Sequence, residues 1–153
     1  MSEWTPETVR AITIRQPWAA SIAHGTKRVE NRTTAWTWRG PLLIHTAKAI
    51  DRPALRDPLV ATAVRGHALE TGAVIAVAHL TGCHPDCHTA PGGPCSAWAQ
   101  PGMHHLVLAD VQALALPLPC IGALGPWRPP QSVLDQVRLQ LPQLPHLPSE
   151  GVS

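Results

Sequence analysis

The chain contains no phenylalanine and no tyrosine, so its six tryptophans must supply every large aromatic surface, in the core and at any ligand site alike. Lysine is nearly as scarce: Lys27 and Lys48 are the two in 153 residues. Charged residues make up 14% of the chain. The formal charge of +2 and pI near 8.5 fall short of the strongly basic balance, pI above about 9, of a dedicated nucleic-acid domain. No apolar run approaches the ~18 to 20 residues of a membrane span, and Met1-Ser2-Glu3-Trp4 carries neither a basic nor an apolar leader region. No membrane partner is therefore expected, and the expected compartment is the cytoplasm. A hydrophobic share of 44% excludes a disordered chain, and the length suits one domain. Four cysteines without an export signal point to thiols or metal ligands before a disulfide framework.

What is present reads as short strands with few helices. From Arg10 to Arg15, Ile12 and Ile14 fall on one face and Thr13 and Arg15 on the other, the alternation of a half-buried strand. Pro17 suits a helix start, Trp18 to His24 makes about two turns, and Gly25 is placed to end them in a left-handed conformation. Lys27 to Arg32 and Pro41 to Thr46 predict two more strands. The spaced apolar residues between Asp51 and Glu70 predict mostly helix, interrupted early by Pro53 and Pro58. Ala73 to Leu80 reads as a central strand with both faces covered. A loop from Thr81 to Gly102 precedes a strand pair or bent strand over His104 to Leu116. Gly122 to Trp127 predicts one further strand and Gln131 to Leu141 a last helix, and the proline-punctuated chain from Pro142 onward reads as disordered. The fold class is α+β. About six strands with two or three helices, and no crossover helices between the later strands, fit a mixed barrel better than a doubly wound sheet.

The run Ala11-Ile12-Thr13-Ile14-Arg15-Gln16-Pro17-Trp18-Ala19, followed by Gly25-Thr26-Lys27-Arg28-Val29-Glu30-Asn31-Arg32, resembles the opening of ASCH domains. Three segments follow in family order: Arg39 to His45, Gly72 to Val77, and Pro119 to Arg128. Each is weak alone; together they span most of the chain. The resemblance implies a PUA-like β-barrel over residues 9–130, with an N-terminal extension at 1–8 and a C-terminal helix and tail at 131–153. It also implies a cleft beside the first helix that holds RNA, another single-stranded nucleic acid or a modified nucleoside. Fold resemblance narrows the site more than the activity.

On that reading Arg15, at the end of the first strand beside the helix start, is a candidate for a phosphate or base edge, and Gln16 adjoins it. The plainer alternative is an Arg15–Glu30 pair that fastens two strands. Glu30 and Arg32 share a strand face, whereas Lys27 starts on the other unless the turn twists it back. The resemblance implies that all three approach the cleft, Glu30 accepting from a nucleobase and Arg32 gripping a phosphate. Trp18, then Trp127, are the stacking candidates, although most tryptophans are expected in the core. His45 with Lys48 behind it, and His105 at the start of a later strand, would join the site if strand ends converge on one mouth. Cys83, Cys87 and Cys95 lie in a Cys/His-rich loop where a structural zinc ion is chemically reasonable; no other cofactor is expected.

Two functions follow from the resemblance. In the first, the cleft binds without breaking a bond. In the second, the chain is a small hydrolase of an N4-acylcytidine-like nucleoside or of RNA, with Lys27 and Glu30 as the catalytic pair. Relatives with that amidohydrolase activity use a Lys-x-x-Thr pair, and here the third residue after Lys27 is Glu30, which cannot serve as the hydroxyl.

Overall fold

In the computed structural model, which describes residues 4–144, the alternation at the start of the chain becomes β1 (Arg10–Gln16), with Ile12 and Ile14 buried on one face. It is followed by α1 (Trp18–His24) and β2 (Val29–Arg32). β3 (Gly40–Ile50) comes next, then a 3₁₀ turn at Arg52–Arg56 and α2 (Pro58–Val64). β4 (Ala73–His84), β5 (His104–Pro119) and α3 (Gln131–Gln140) complete the order.

The strands form one mixed sheet in the order β1-β3-β4-β5-β2. β1 runs parallel to β3, and the other three pairings are antiparallel. Two expectations are corrected here. The sheet has five strands, and it is open where a barrel would close, because β1 and β2 are its two edges and form no ladder with each other. Gly122 to Trp127 is not a strand: Gly125 takes a positive φ of 63° before Pro126, and the segment contributes only an isolated bridge in which the Ala11 and Trp127 backbones exchange hydrogen bonds of 2.8 and 3.0 Å.

Other differences are local. The expected helix over 51–70 is cut in two, because proline lacks the N–H that would continue the first turn. Pro58 instead opens α2 with Asp57 as N-cap, its carboxylate accepting from the Leu59 N–H at 2.9 Å. β4 continues through Thr81 to His84, taking four residues from the expected loop. β5 is one long bent strand, bulged at Asp110 with φ of 52°, where two residues have no partner opposite β4. Of the tail, Pro142 to Leu144 is described and Leu144 is buried; residues 145–153 lie outside the described part.

Both faces of the sheet are covered. Ile12, Ile14, Leu42, Ile44 and Leu80 pack with Ile22 of α1 and with Trp36 on one side. Ala11, Leu43, Val74 and Val77 pack with Trp4, Val9, Leu134 and Val137 on the other. The segments flanking residues 9–130 thus supply side chains to the second core. Among the described residues no helix is long and apolar enough to cross a membrane.

α1 ends differently from the expectation. Gly25 is extended, with φ of −116° and ψ of −153°, and not left-handed. Its lack of a side chain is required by packing: a Cβ there would fall on the Cβ of Ala63 in α2 and lie 2.9 Å from the Ser21 carbonyl. Gly25→Ala should therefore destabilise the fold by about 1–3 kcal/mol, the usual cost of overfilling a packed site, read as a lower denaturation midpoint at unchanged slope.

Candidate functional site

The open seam between the two edge strands holds a cavity of about 460 Å³. β1 contributes Thr13, Ile14 and Arg15, and β2 contributes Glu30, Asn31 and Arg32. Trp18 of α1 and Lys27 lie between them, Thr33 and Asp51 complete one side, and Gln100 and Met103 enter from the long β4–β5 loop. This size falls within the ~300 to 1,000 Å³ of small-ligand sites.

At its floor is an ionic triad. The Lys27 ammonium donates to the Val29 carbonyl and lies 3.4 Å from Glu30 Oε1, while Arg32 Nε donates to Glu30 Oε2 at 3.2 Å. Arg32 also donates through Nη2 to the Thr13 carbonyl at 2.8 Å, so its guanidinium joins β2 to β1 across the unpaired seam. Lys27 is 1% exposed, and burial pushes its ammonium below the ordinary lysine range, with Glu30 pulling the other way. Lys27 precedes β2, so strand parity does not govern it, which is how it shares a site with Glu30 and Arg32.

Around the triad stand indole rings. Lys27 Nζ lies 5.7 Å from the Trp18 ring and 6.0 Å from the Trp98 ring, and Arg32 lies 5.8 Å from the Trp36 ring. Trp18 is half-buried, and its Nε1 donates to Asp51 Oδ2 at 3.0 Å, which fixes the ring at the wall. Arg15 is exposed at the mouth and makes no side-chain hydrogen bond or ion pair among the described residues. Glu30 pairs with Lys27 and Arg32 instead of Arg15.

The structure thus brings Arg15, Trp18, Lys27, Glu30 and Arg32 together, and it puts five other candidates elsewhere. Gln16 is fully buried, accepting from the Ala20 N–H at 2.9 Å and donating to the Glu70 carbonyl at 2.9 Å; it fastens the start of α1. Lys48 is exposed on β3 away from the cavity lining. His105 is fully buried against the β4–β5 loop. His45 and Trp127 belong to a closed hydrogen-bond chain behind the seam: Trp127 Nε1 donates to Thr13 Oγ1 at 3.0 Å, which meets His45 Nδ1 at 3.1 Å, and His45 Nε2 meets the Cys120 carbonyl at 2.8 Å. The carbonyl requires a proton on Nε2, and burial disfavours a second proton on Nδ1, which then accepts from the threonine hydroxyl. Of the cysteines, Cys87 and Cys95 approach one another with His84 and His105, whereas Cys83 packs against the main core.

Sequence reasoning missed Thr13, Asn31, Asp51, Gln100 and Met103. Asp51 and the loop residues come from connections whose direction no local pattern encodes. Asn31 was discoverable, since it sits inside the Gly25 to Arg32 stretch that carries the family resemblance.

Comparison with known proteins agrees with this architecture. The ASCH domain family pattern matches residues 12–113. No curated protein matches the chain significantly. Among solved structures, a serine-to-alanine mutant of the ASCH protein from Zymomonas mobilis is similar with a TM-score of 0.53 and 15% identity, covering 88% of this chain and 98% of that one. A tyrosine-to-phenylalanine mutant of the same protein has a TM-score of 0.44 and 17% identity, covering 73% and 76%. At 15% identity the likeness is one of fold.

Three histidines set a pH dependence. Burial lowers His45 below its ordinary 6.5, the Cys120 carbonyl opposing; partial desolvation lowers the half-buried His79, and partial desolvation with the neighbouring His67 lowers the more exposed His24. The folded state therefore holds fewer protons than the unfolded chain in the range below 6.5. Stability is fully present above that pH and is lost as pH falls through the folded values. Thermal midpoints should decline on acidification from pH 6.5, and His45→Gln, which keeps a donor toward Cys120, should flatten part of that slope. An unchanged slope in the variant would remove His45 from the account.

Proposed function

Because the chain belongs to the ASCH domain family, we propose that its seam cavity binds one nucleotide, presented by single-stranded RNA or as a modified nucleoside. The observation that carries this reading is the Glu30 carboxylate, held in place by a cation on each oxygen at the floor of a cavity walled by an indole. A carboxylate has about four acceptor sites, and two cations leave capacity for a donor edge such as a nucleobase amino or imino group. Trp18 offers a ring for stacking, worth about 1–3 kcal/mol per base. Arg15, exposed at the mouth and unpaired among the described residues, suits a phosphate. Lys27 acts differently from Arg15: with its ammonium closed off from solvent, it orients Glu30 and does not meet phosphate directly.

The variants separate these roles. Trp18→Ala should weaken binding of a labelled short RNA by about 5- to 150-fold, the stacking energy above expressed as affinity. Arg15→Ala should weaken it and flatten its salt dependence, by about 0.7 in log–log slope if one phosphate is contacted. Lys27→Met should weaken it with the salt slope intact. Wild-type affinity for RNA and for nucleosides in both Arg15→Ala and Trp18→Ala would end this assignment.

One observation favours a second reading. A buried lysine with displaced ionisation beside a carboxylate, in a cavity, is the kind of pair that active sites use for proton transfer. Glu30 would then activate water against an acylated cytidine or RNA. Binding without chemistry is preferred because Lys27 is enclosed and the third residue after it is Glu30, where the hydrolysing relatives carry the threonine hydroxyl. Incubation with N4-acylated cytidines and labelled RNA is expected to leave both intact. Product that forms with the wild type and disappears in Glu30→Gln would reverse the order.

A further inference from the structure

The β4–β5 loop carries a second polar assembly that the seam cavity does not use. His84, at the end of β4, is in direct register with His105, near the start of β5. The loop between them folds back so that Cys87 and Cys95 join the histidines. One ligand atom from each of the four lies within 4.8 Å of every other. Cys87 Sγ is 3.5 Å and Cys95 Sγ 3.9 Å from His105 Nδ1. Around a tetrahedral zinc ion such edges measure about 3.3 to 3.8 Å, so a small contraction closes the set.

The histidines are already oriented as ligands. His105 Nε2 meets the Gln100 carbonyl at 2.8 Å, which places the proton there and leaves the Nδ1 lone pair facing both sulfurs. His84 Nδ1 meets the Pro85 carbonyl at 2.8 Å, which likewise frees Nε2. A backbone carbonyl on the far nitrogen is the usual support for a metal-bound imidazole. The Cys95 N–H donates to Cys87 Sγ at 3.2 Å, which holds the two cysteines beside one another. Gly93 permits the turn, since a Cβ there would collide with the Cys87 carbonyl. The neighbouring Asp86 is not an open ligand: it already accepts from the Gly102 N–H at 2.7 Å and from His88 N and Nδ1 at 3.0 and 2.8 Å.

We propose that His84, Cys87, Cys95 and His105 bind a zinc ion that fastens the loop forming one wall of the seam cavity. Two sulfur and two nitrogen donors in a tetrahedral set suit zinc, the two thiol protons pass to solvent on binding, and two thiolates neutralise the dication. Closing all four positions leaves none for substrate, so the role is structural. The consequence reaches the cavity because the same loop presents Gln100 and Met103 to it, and Asn31 of β2 holds the Trp98 carbonyl at 3.0 Å and the Gln100 N–H at 2.9 Å. Cys83 and Cys120 are not ligands.

The test uses the full chain, purified reduced from zinc-supplemented culture, with elemental analysis and cobalt(II) substitution. One zinc per chain is expected, and cobalt should give intense tetrahedral d–d bands with thiolate-to-metal charge transfer. Cys95→Ser should lose both the metal and the bands while keeping the wild-type far-ultraviolet circular dichroism, because Cys95 is exposed. Cys83→Ser should keep both. Amide exchange across residues 85–103 should slow on metal loading, a readout independent of any RNA affinity. Weak octahedral cobalt bands would overturn the proposal, as would metal content that survives Cys95→Ser, or a Cys87–Cys95 disulfide found in the native protein that leaves it unable to load after reduction.

Discussion

The site depends on a lysine that the fold takes out of water. A buried ammonium is tolerated only when paired and hydrogen-bonded, and Lys27 meets both conditions through Glu30 and the Val29 carbonyl. Glu30 in turn engages Arg32, which reaches Thr13 on the opposite edge strand. The sheet is therefore joined across its open seam by side-chain charge instead of a backbone ladder. Removing a single member of such a set strands the others, at a cost of about 3–5 kcal/mol for a truly buried pair, so these residues are structural and ligand-facing at once.

Composition makes that economy possible. Without phenylalanine or tyrosine, indoles fill the volumes that smaller rings would take, and Trp4, Trp36, Trp98 and Trp127 are buried. Four tryptophans also lie near a cation: Trp18 and Trp98 by Lys27, Trp36 by Arg32, and Trp38 by Arg10. A π face near a cation is worth about 0.5–2 kcal/mol depending on desolvation, so the rings that build the core also lower the cost of burying charge beside it. Trp18 is the one at the cavity whose half-burial leaves area for a ligand.

Much of this was legible in the residues. The period-two run at Ile12 and Ile14 and the Pro17 to Gly25 interval mark β1 and α1, since local sterics and a single buried face determine both. The grouping of Arg15, Trp18, Lys27, Glu30 and Arg32 was legible only through the family resemblance, because strand parity alone put Lys27 on the opposite face from Glu30 and Arg32. Closure of the sheet was not legible: whether β1 meets β2 depends on twist and on what the 122–127 segment does, and neither is a local property. The faces of His45 and His105 were equally hidden, since a strand residue's neighbours are set by register with distant strands. Extension of β4 by four residues decided the cysteines, carrying His84 into register with His105 while Cys83 meets the core.

The two polar assemblies meet at β2. Glu30 and Arg32 turn to the seam, whereas Asn31, one residue out of phase, is in register with His105 and holds the loop through Trp98 and Gln100. His105 reaches the carbonyl of that same Gln100 from its own side. Trp98 completes the link, its Nε1 donating to Thr26 at 3.1 Å while its ring faces the Lys27 ammonium. Displacing the loop would uncover Lys27, and an ammonium returned to water would no longer hold Glu30 as an oriented acceptor. Order in a loop with few buried apolar side chains is thus coupled to the electrostatics of the cavity it helps to wall.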